Sequence, residues 1–172
     1  MKQNLLSQSI KAMNPTWNSD EGELDAFLRA VCVAKDILKA AIDHANAAVE
    51  AADAVLENYL ASPTEEILIL DEYLPWSDPV HNEPRLKNVL FVVYPSKRGG
   101  WNVQTVPREP GQFVNRMNFP EEWLGHADPE RGIHFAHTSN FLIACDTKEQ
   151  AIKVAEEAVE EGSVPAVIAA SI

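Results

Sequence analysis

The chain has 172 residues, a formal net charge of −12 at pH 7 and a pI near 4.7, with 46% of its residues hydrophobic. That length suits one domain with a sizeable core, or a domain with a helical appendage, and argues against two separate cores. The acidic balance argues against sequence-independent binding to duplex DNA, where affinity comes from clustered Lys and Arg that displace counterions. A nucleotide or a single-stranded RNA or DNA end in a small basic pocket is compatible with it, because a site is local and net charge describes the whole surface.

Taken in order, Leu5, Leu6 and Ile10 predict a short helix that stops before Pro15, since the residue preceding proline is pushed out of helical geometry. Ser19 or Asp20 then reads as an N-cap, with Glu21 and Glu23 where the helix dipole favours negative charge. No proline interrupts the chain from there to Ala61. Leu24, Leu28, Val31, Leu38, Ile42, Ala45, Val49, Ala52, Leu56 and Tyr59 recur by alternating fours and threes, a heptad-like seam broken by Lys35. A continuous helix of that span is about 60 Å long, so part of its apolar face needs another partner, either a second copy or a separate catalytic half. The alternative is a hairpin folded back near Asp43-His44-Ala45-Asn46.

After Ser62-Pro63 the period changes to that of strands: Ile67 to Leu70, Val89 to Tyr94, Trp101 to Val106, Gly132 to His137 and Phe141 to Cys145. Ser96-Lys97-Arg98-Gly99-Gly100 has the composition of a hairpin loop, which makes the core antiparallel. Thr147 caps a helix from about Lys148 to Glu161 that Gly162 stops, and its apolar face belongs on the sheet. Val164 to Ile172 suggests a short terminal edge strand. The expected fold is α+β: a helical arm over residues 1–62, then a mainly antiparallel sheet backed by a C-terminal helix over residues 63–172. Two loop-rich segments, Tyr73 to Pro84 and Pro107 to Arg131, are long enough to point to function, and their aromatic anchors favour order.

Cys32 and Cys145 lie on a predicted helix and a predicted strand with no histidine at ligand spacing, which fits reduced thiols in the cytoplasm. The N-terminus has no signal-peptide core, and no run of about 18 apolar residues suggests a membrane span.

Six segments stand in an order of their own: Asn14-Pro15-Thr16-Trp17, Pro75-Trp76, Val89 to Pro95, Trp101-Asn102-Val103-Gln104-Thr105-Val106-Pro107, Pro120-Glu121-Glu122-Trp123-Leu124-Gly125 and His137-Thr138-Ser139-Asn140-Phe141. In register they resemble the C-terminal half of the melanocyte-proliferating-gene (Myg) family, a group of metal-dependent hydrolases related to the DHH phosphoesterases. The resemblance runs from about Ser9 to about Ala158. It departs from the family pattern at Asn140, where glycine is usual, and at Leu124, often arginine. It implies a DHH-associated, substrate-binding domain and, once a metal-bearing half is present, phosphodiester hydrolysis of the RNA exonuclease class. The divalent metal, Mn or Mg, belongs to that separate catalytic half. No metal ligand and no catalytic residue is expected in this chain, whose adjacent pairs Asp71-Glu72 and Glu121-Glu122 read as solvated faces or caps.

By the same resemblance, His137, Ser139 and Asn140 occupy a loop that holds substrate phosphate. Hydroxyls, an imidazole and backbone N–H groups in a tight turn make a small anion nest, and asparagine tolerates left-handed geometry. The bland alternative is an ordinary turn. Arg108, Arg116, Lys97 and Arg98 flank Trp101 and Phe113, where a base can stack while arginine meets phosphate, and Gln104 alternates with core positions towards the same cleft. Against this, Lys97 and Arg98 also suit a soluble edge strand. Trp17, Trp76 and Trp123 read as core or interface plugs. Three functions follow: a substrate-binding module for a separate catalytic subunit, a homodimeric scaffold with a decayed cleft, or an independent hydrolase using His134, His137 and nearby carboxylates.

Overall fold

A computed structural model describes residues 5–165 and divides the chain into two compact units, Met1–Val49 and Glu50–Ile172. The division falls inside a helix, not after residue 62. Val55 of that helix is fully buried in the second unit's core and Tyr59 packs beside it, so its last turns belong with the sheet.

In the first unit, α1 (Leu5–Lys11) ends before Pro15, and α2 (Glu23–Ala61) begins with Glu23 and Asp25 in its first turn. Arg29 pairs with Glu21 and donates to the Met13 carbonyl at 3.2 Å, which ties the intervening loop to the helix. Ala26 is buried, whereas Leu24, Phe27, Leu28, Val31, Leu38, Ile42 and Val49 are exposed. The helix is continuous for 39 residues, so no hairpin forms at Asp43 to Asn46.

The second unit is a five-stranded sheet of order β1-β2-β3-β5-β4, formed by β1 (Ile67–Ile69), β2 (Phe91–Pro95), β3 (Trp101–Thr105), β4 (Ile133–Ala136) and β5 (Leu142–Cys145). Three pairings are antiparallel, and β1 runs parallel to β2. The connection between those two includes α3 (Ser77–Asn82) and a 3₁₀ turn at Pro84–Leu86, in a segment whose sequence suggests only loop. A parallel neighbour needs such a crossover. The β2–β3 hairpin turns through Gly99 and Gly100 at φ +96° and +72°, and a Cβ on Gly100 would lie 2.4 Å from the Cys145 carbonyl oxygen. Glycine is therefore required there on two counts.

Helix α4 (Lys148–Glu161) starts on a full capping box between Thr147 and Gln150. It stops at Gly162, where a Cβ would sit 2.4 Å from the Ala158 carbonyl oxygen. Its Ala151, Val154, Ala155 and Ala158 pack against Ile67, Phe91, Val93, Val103 and Ile143 to close one sheet face. The other face is covered over β1 and β2 by Val55, Trp76, Val80 and Leu86, packed on Leu68, Val92 and Tyr94. Over β3, β5 and β4 that second face carries Asn102, Gln104, Leu142 and Phe135, none of them fully buried. Val164 and Pro165 are not in a strand, and the rest of the expected terminal strand lies outside the described residues.

Candidate functional site

Strand alternation decides which candidates share a surface. Val103 belongs to the α4 core, so its neighbours Asn102 and Gln104 face the opposite way. Register then sets two rows across the open half of the sheet. Gln104 pairs with Leu142, whose carbonyl accepts from the His137 N–H. Asn102 pairs with Ala144, and Ala144 with Phe135. The small Ala144 leaves a hollow between Asn102 and Phe135.

That hollow is a cleft of about 500 Å³ lined by Lys97, Arg98, Asn102, His134, Phe135 and Ala144, among others. On the other side of Gln104 lies a second hollow of about 310 Å³, lined by Tyr73, Trp76, Ser77, Asp78 and Pro107. Lys97 joins their rims, with its Nζ 5.6 Å from the Tyr73 ring centroid. The Tyr94 hydroxyl donates to Gln104 Oε1 at 2.6 Å, and burial pushes its pKa up to about 12, so it remains a donor. Gln104 is thereby oriented with its amide nitrogen unpartnered among the described residues.

The His137 loop is built tightly. Asn140 has φ +58°, the left-handed geometry glycine usually supplies, and its side chain both accepts from Phe119 N (2.7 Å) and donates to Phe119 O (3.2 Å). Buried Asn115 donates to the Asn140 carbonyl at 2.8 Å. Asn140 thus shapes the loop, and its side chain faces Phe119. His137 Nδ1 receives the Ser139 backbone N–H at 3.1 Å and lies 2.7 Å from the Ser139 hydroxyl. A backbone N–H can only donate, so Nδ1 is the acceptor and the neutral ring carries its proton on Nε2. The loop therefore offers a hydrogen-bond donor on an exposed imidazole. The ring stands edge-on to Phe135 and Phe141, with centroids 6.1 and 6.4 Å away.

Other expected members lie elsewhere. Trp101 sits on the α4 side, packed against that core, with Lys148 5.4 Å from its ring centroid. Arg116 donates to the carbonyls of Leu86, Lys87, Val89 and Val80 at 2.8 to 3.2 Å, and burial lowers its pKa while Glu109 opposes the shift. Arg108 donates to the Pro165 carbonyl at 2.8 Å. These two arginines line a hollow with Glu66 and Lys87 that includes neither His137 nor Gln104. Trp76 and Trp123 are buried, but Trp17 is 97% exposed and Phe113 is 99% exposed.

Lys97 and Arg98, which the sequence set against the alternative of a soluble edge strand, and His134, named there only for an independent hydrolase, come together with Asn102 and Phe135, which it left unassigned. The signal was present in the alternation that turns Asn102 and Gln104 away from Val103 onto one face, and in the Gly-Gly hairpin that holds Arg98. Arg98 is the one arginine whose guanidinium has no partner among the described residues; the others are bonded to carboxylates or carbonyls. His134 Nδ1 lies 3.2 Å from Asp146.

Among the described residues no three His, Cys, Asp or Glu side chains gather in a way that could hold a metal ion. The histidines explain why: His44 is exposed, His81 bonds the Ser77 and Pro107 carbonyls, His126 bonds the Leu124 carbonyl, and His134 and His137 are engaged as above. The donor set does not fit a divalent ion. Nor is any helix of the described residues long and apolar enough to cross a membrane.

The family MYG1_exonuc, described as "Uncharacterised protein family (UPF0160)", matches residues 1–159. The chain is 30% identical to the human protein called MYG1 exonuclease over 178 residues, covering 92% of this chain and 47% of that protein. It is 28% identical to the rat MYG1 exonuclease, covering 97% and 49%, and 27% identical to a MYG1 protein of Dictyostelium discoideum, covering 87% and 51%. No solved structure matches it. It spans about half the length of these relatives, and over that span the chain belongs to the MYG1 family.

Proposed function

We propose that this chain is the non-catalytic, substrate-binding half of a Myg-type, DHH-related phosphodiesterase, acting on a single-stranded RNA or DNA end. The observation that carries the reading is the His137 loop. Its tautomer leaves an Nε2–H donor at the border of an open sheet face that also presents Gln104, Asn102 and two cationic side chains. Donors and cations over a concave surface suit phosphate, and exposed aromatic rings suit bases. Relatives carrying the printed name MYG1 exonuclease are about twice as long, which supports a catalytic half, bearing Mn or Mg, on another segment or polypeptide. The exposed Trp17 of the Asn14-Pro15-Thr16-Trp17 segment supports a docking place for it. Two unpaired thiols are consistent with the cytoplasm.

The test is titration of the full chain with a labelled single-stranded oligonucleotide, with Mn²⁺ and without. Saturable binding, weakened about tenfold by His137→Ala through loss of a hydrogen bond to a charged group, is expected, with no product formed. Turnover abolished by a chelator sinks the non-catalytic part. Failure to bind any single strand sinks the rest.

A second reading, a homodimeric scaffold, is favoured by the exposed seam of α2. Sedimentation measures it: a dimer converted to monomer by Leu38→Glu supports this reading, and a monomeric wild type overturns it.

A further inference from the structure

We propose that the cleft beside the β2–β3 hairpin is a terminal-phosphate site, in which Arg98 receives the phosphomonoester of a nucleic-acid end and the last base stacks on Phe135. This rests on the single-strand reading above and narrows it to a chemical class. Three independent observations converge on it.

First, in a molecule of formal charge −12, Arg98 is the arginine left without a partner among the described residues, and it lines the cleft together with Lys97, which has no carboxylate partner among them either. A guanidinium fork matches phosphate oxygens in pairs, and a phosphomonoester near neutral pH carries more charge than an internal phosphodiester. Second, Phe135 is 48% exposed although it lies on a strand, and its neighbour across β5 is the small Ala144, so one side of the ring is accessible. The His137 edge holds the ring in place. Third, the cleft volume of about 500 Å³ lies in the range of small-molecule sites, roughly 300 to 1,000 Å³, and so suits one nucleotide. His134 completes the cleft. Asp146 engages its Nδ1, leaving Nε2 as the free polar atom for a ribose hydroxyl.

The experiment compares matched short oligonucleotides carrying a phosphate or a hydroxyl at the 5′ end, and likewise at the 3′ end, by fluorescence anisotropy with the full chain. A phosphate at one end is expected to tighten binding by about tenfold or more, the effect of a hydrogen bond to a charged group. Arg98→Ala is expected to lower affinity for the phosphate-ended strand until the two ends bind alike, and Arg98→Lys to restore part of the difference. Phe135→Ala is expected to weaken both strands. Equal affinity for phosphate and hydroxyl ends, with Arg98→Ala changing neither, overturns the proposal but leaves single-strand binding standing. Absence of binding to every oligonucleotide overturns both. Circular dichroism of each variant separates loss of binding from loss of fold.

Discussion

The two faces of one sheet differ in how they are closed. On the α4 side, alanines and valines of a capped helix meet β-branched and aromatic residues with nothing exposed at the centre. On the opposite side, α3 and the last turns of α2 seal β1 and β2, and cover stops before β3, β5 and β4. Both closed regions hold buried core, and the surface proposed for recognition is the open part of the second face. The same strand serves both, because successive side chains point to opposite faces: Val103 anchors the core while Asn102 and Gln104 meet solvent.

Substitutions can break this division or sharpen it. The largest effect is expected from Phe119→Ala, which deletes a fully buried ring stacked at 5.0 Å on Phe91 and should cost about 3–5 kcal/mol in chemical denaturation. Phe135→Ala, by contrast, should leave the denaturation midpoint nearly unchanged. Arg116→Ala removes a donor from four carbonyls and should cost about 1–3 kcal/mol without altering strand affinity; a large affinity loss with an intact fold would return Arg116 to the site. Thr147→Ala removes the α4 cap and should cost about 1 kcal/mol.

A smaller, pH-dependent effect should appear in alkali. Burial raises the Cys145 thiol from 9.0 to about 12, with Asp146 adding to the shift, and raises Tyr94 from 10.0 to about 12. Folded pKa values above the unfolded ones mean that both groups contribute stability below pH 9, and that this is lost as pH rises towards 12. Thermal melts from pH 8 upward should show the decline, and Cys145→Ala should flatten part of it. Exposed Cys32 should react with a thiol reagent in the native protein while buried Cys145 does not.

Much of the architecture was legible before the fold was known. The five strands, the Thr147 cap, the Gly99-Gly100 hairpin and the uninterrupted α2 follow from local chemistry, which acts within a few residues. The parallel β1–β2 pairing was not, because it depends on a crossover that brackets α3 and leaves no local mark. Site membership was legible only in part. Gln104 is turned to the open side by strand alternation and Trp101 to the other by the same rule, whereas His137 and Ser139 meet in the loop after β4. The fates of Arg108 and Arg116 depend on carbonyls far along the chain, at Pro165 and between Val80 and Val89, and no spacing rule reaches that far.

Asn140 is fixed by more than its backbone conformation. Glycine would satisfy the backbone at φ +58° as well, but it would strand both polar groups of Phe119 that the asparagine amide now grips. Asn140→Gly would then be a loss, and the contact would survive a change of side chain at position 119, because both bonds are to its backbone.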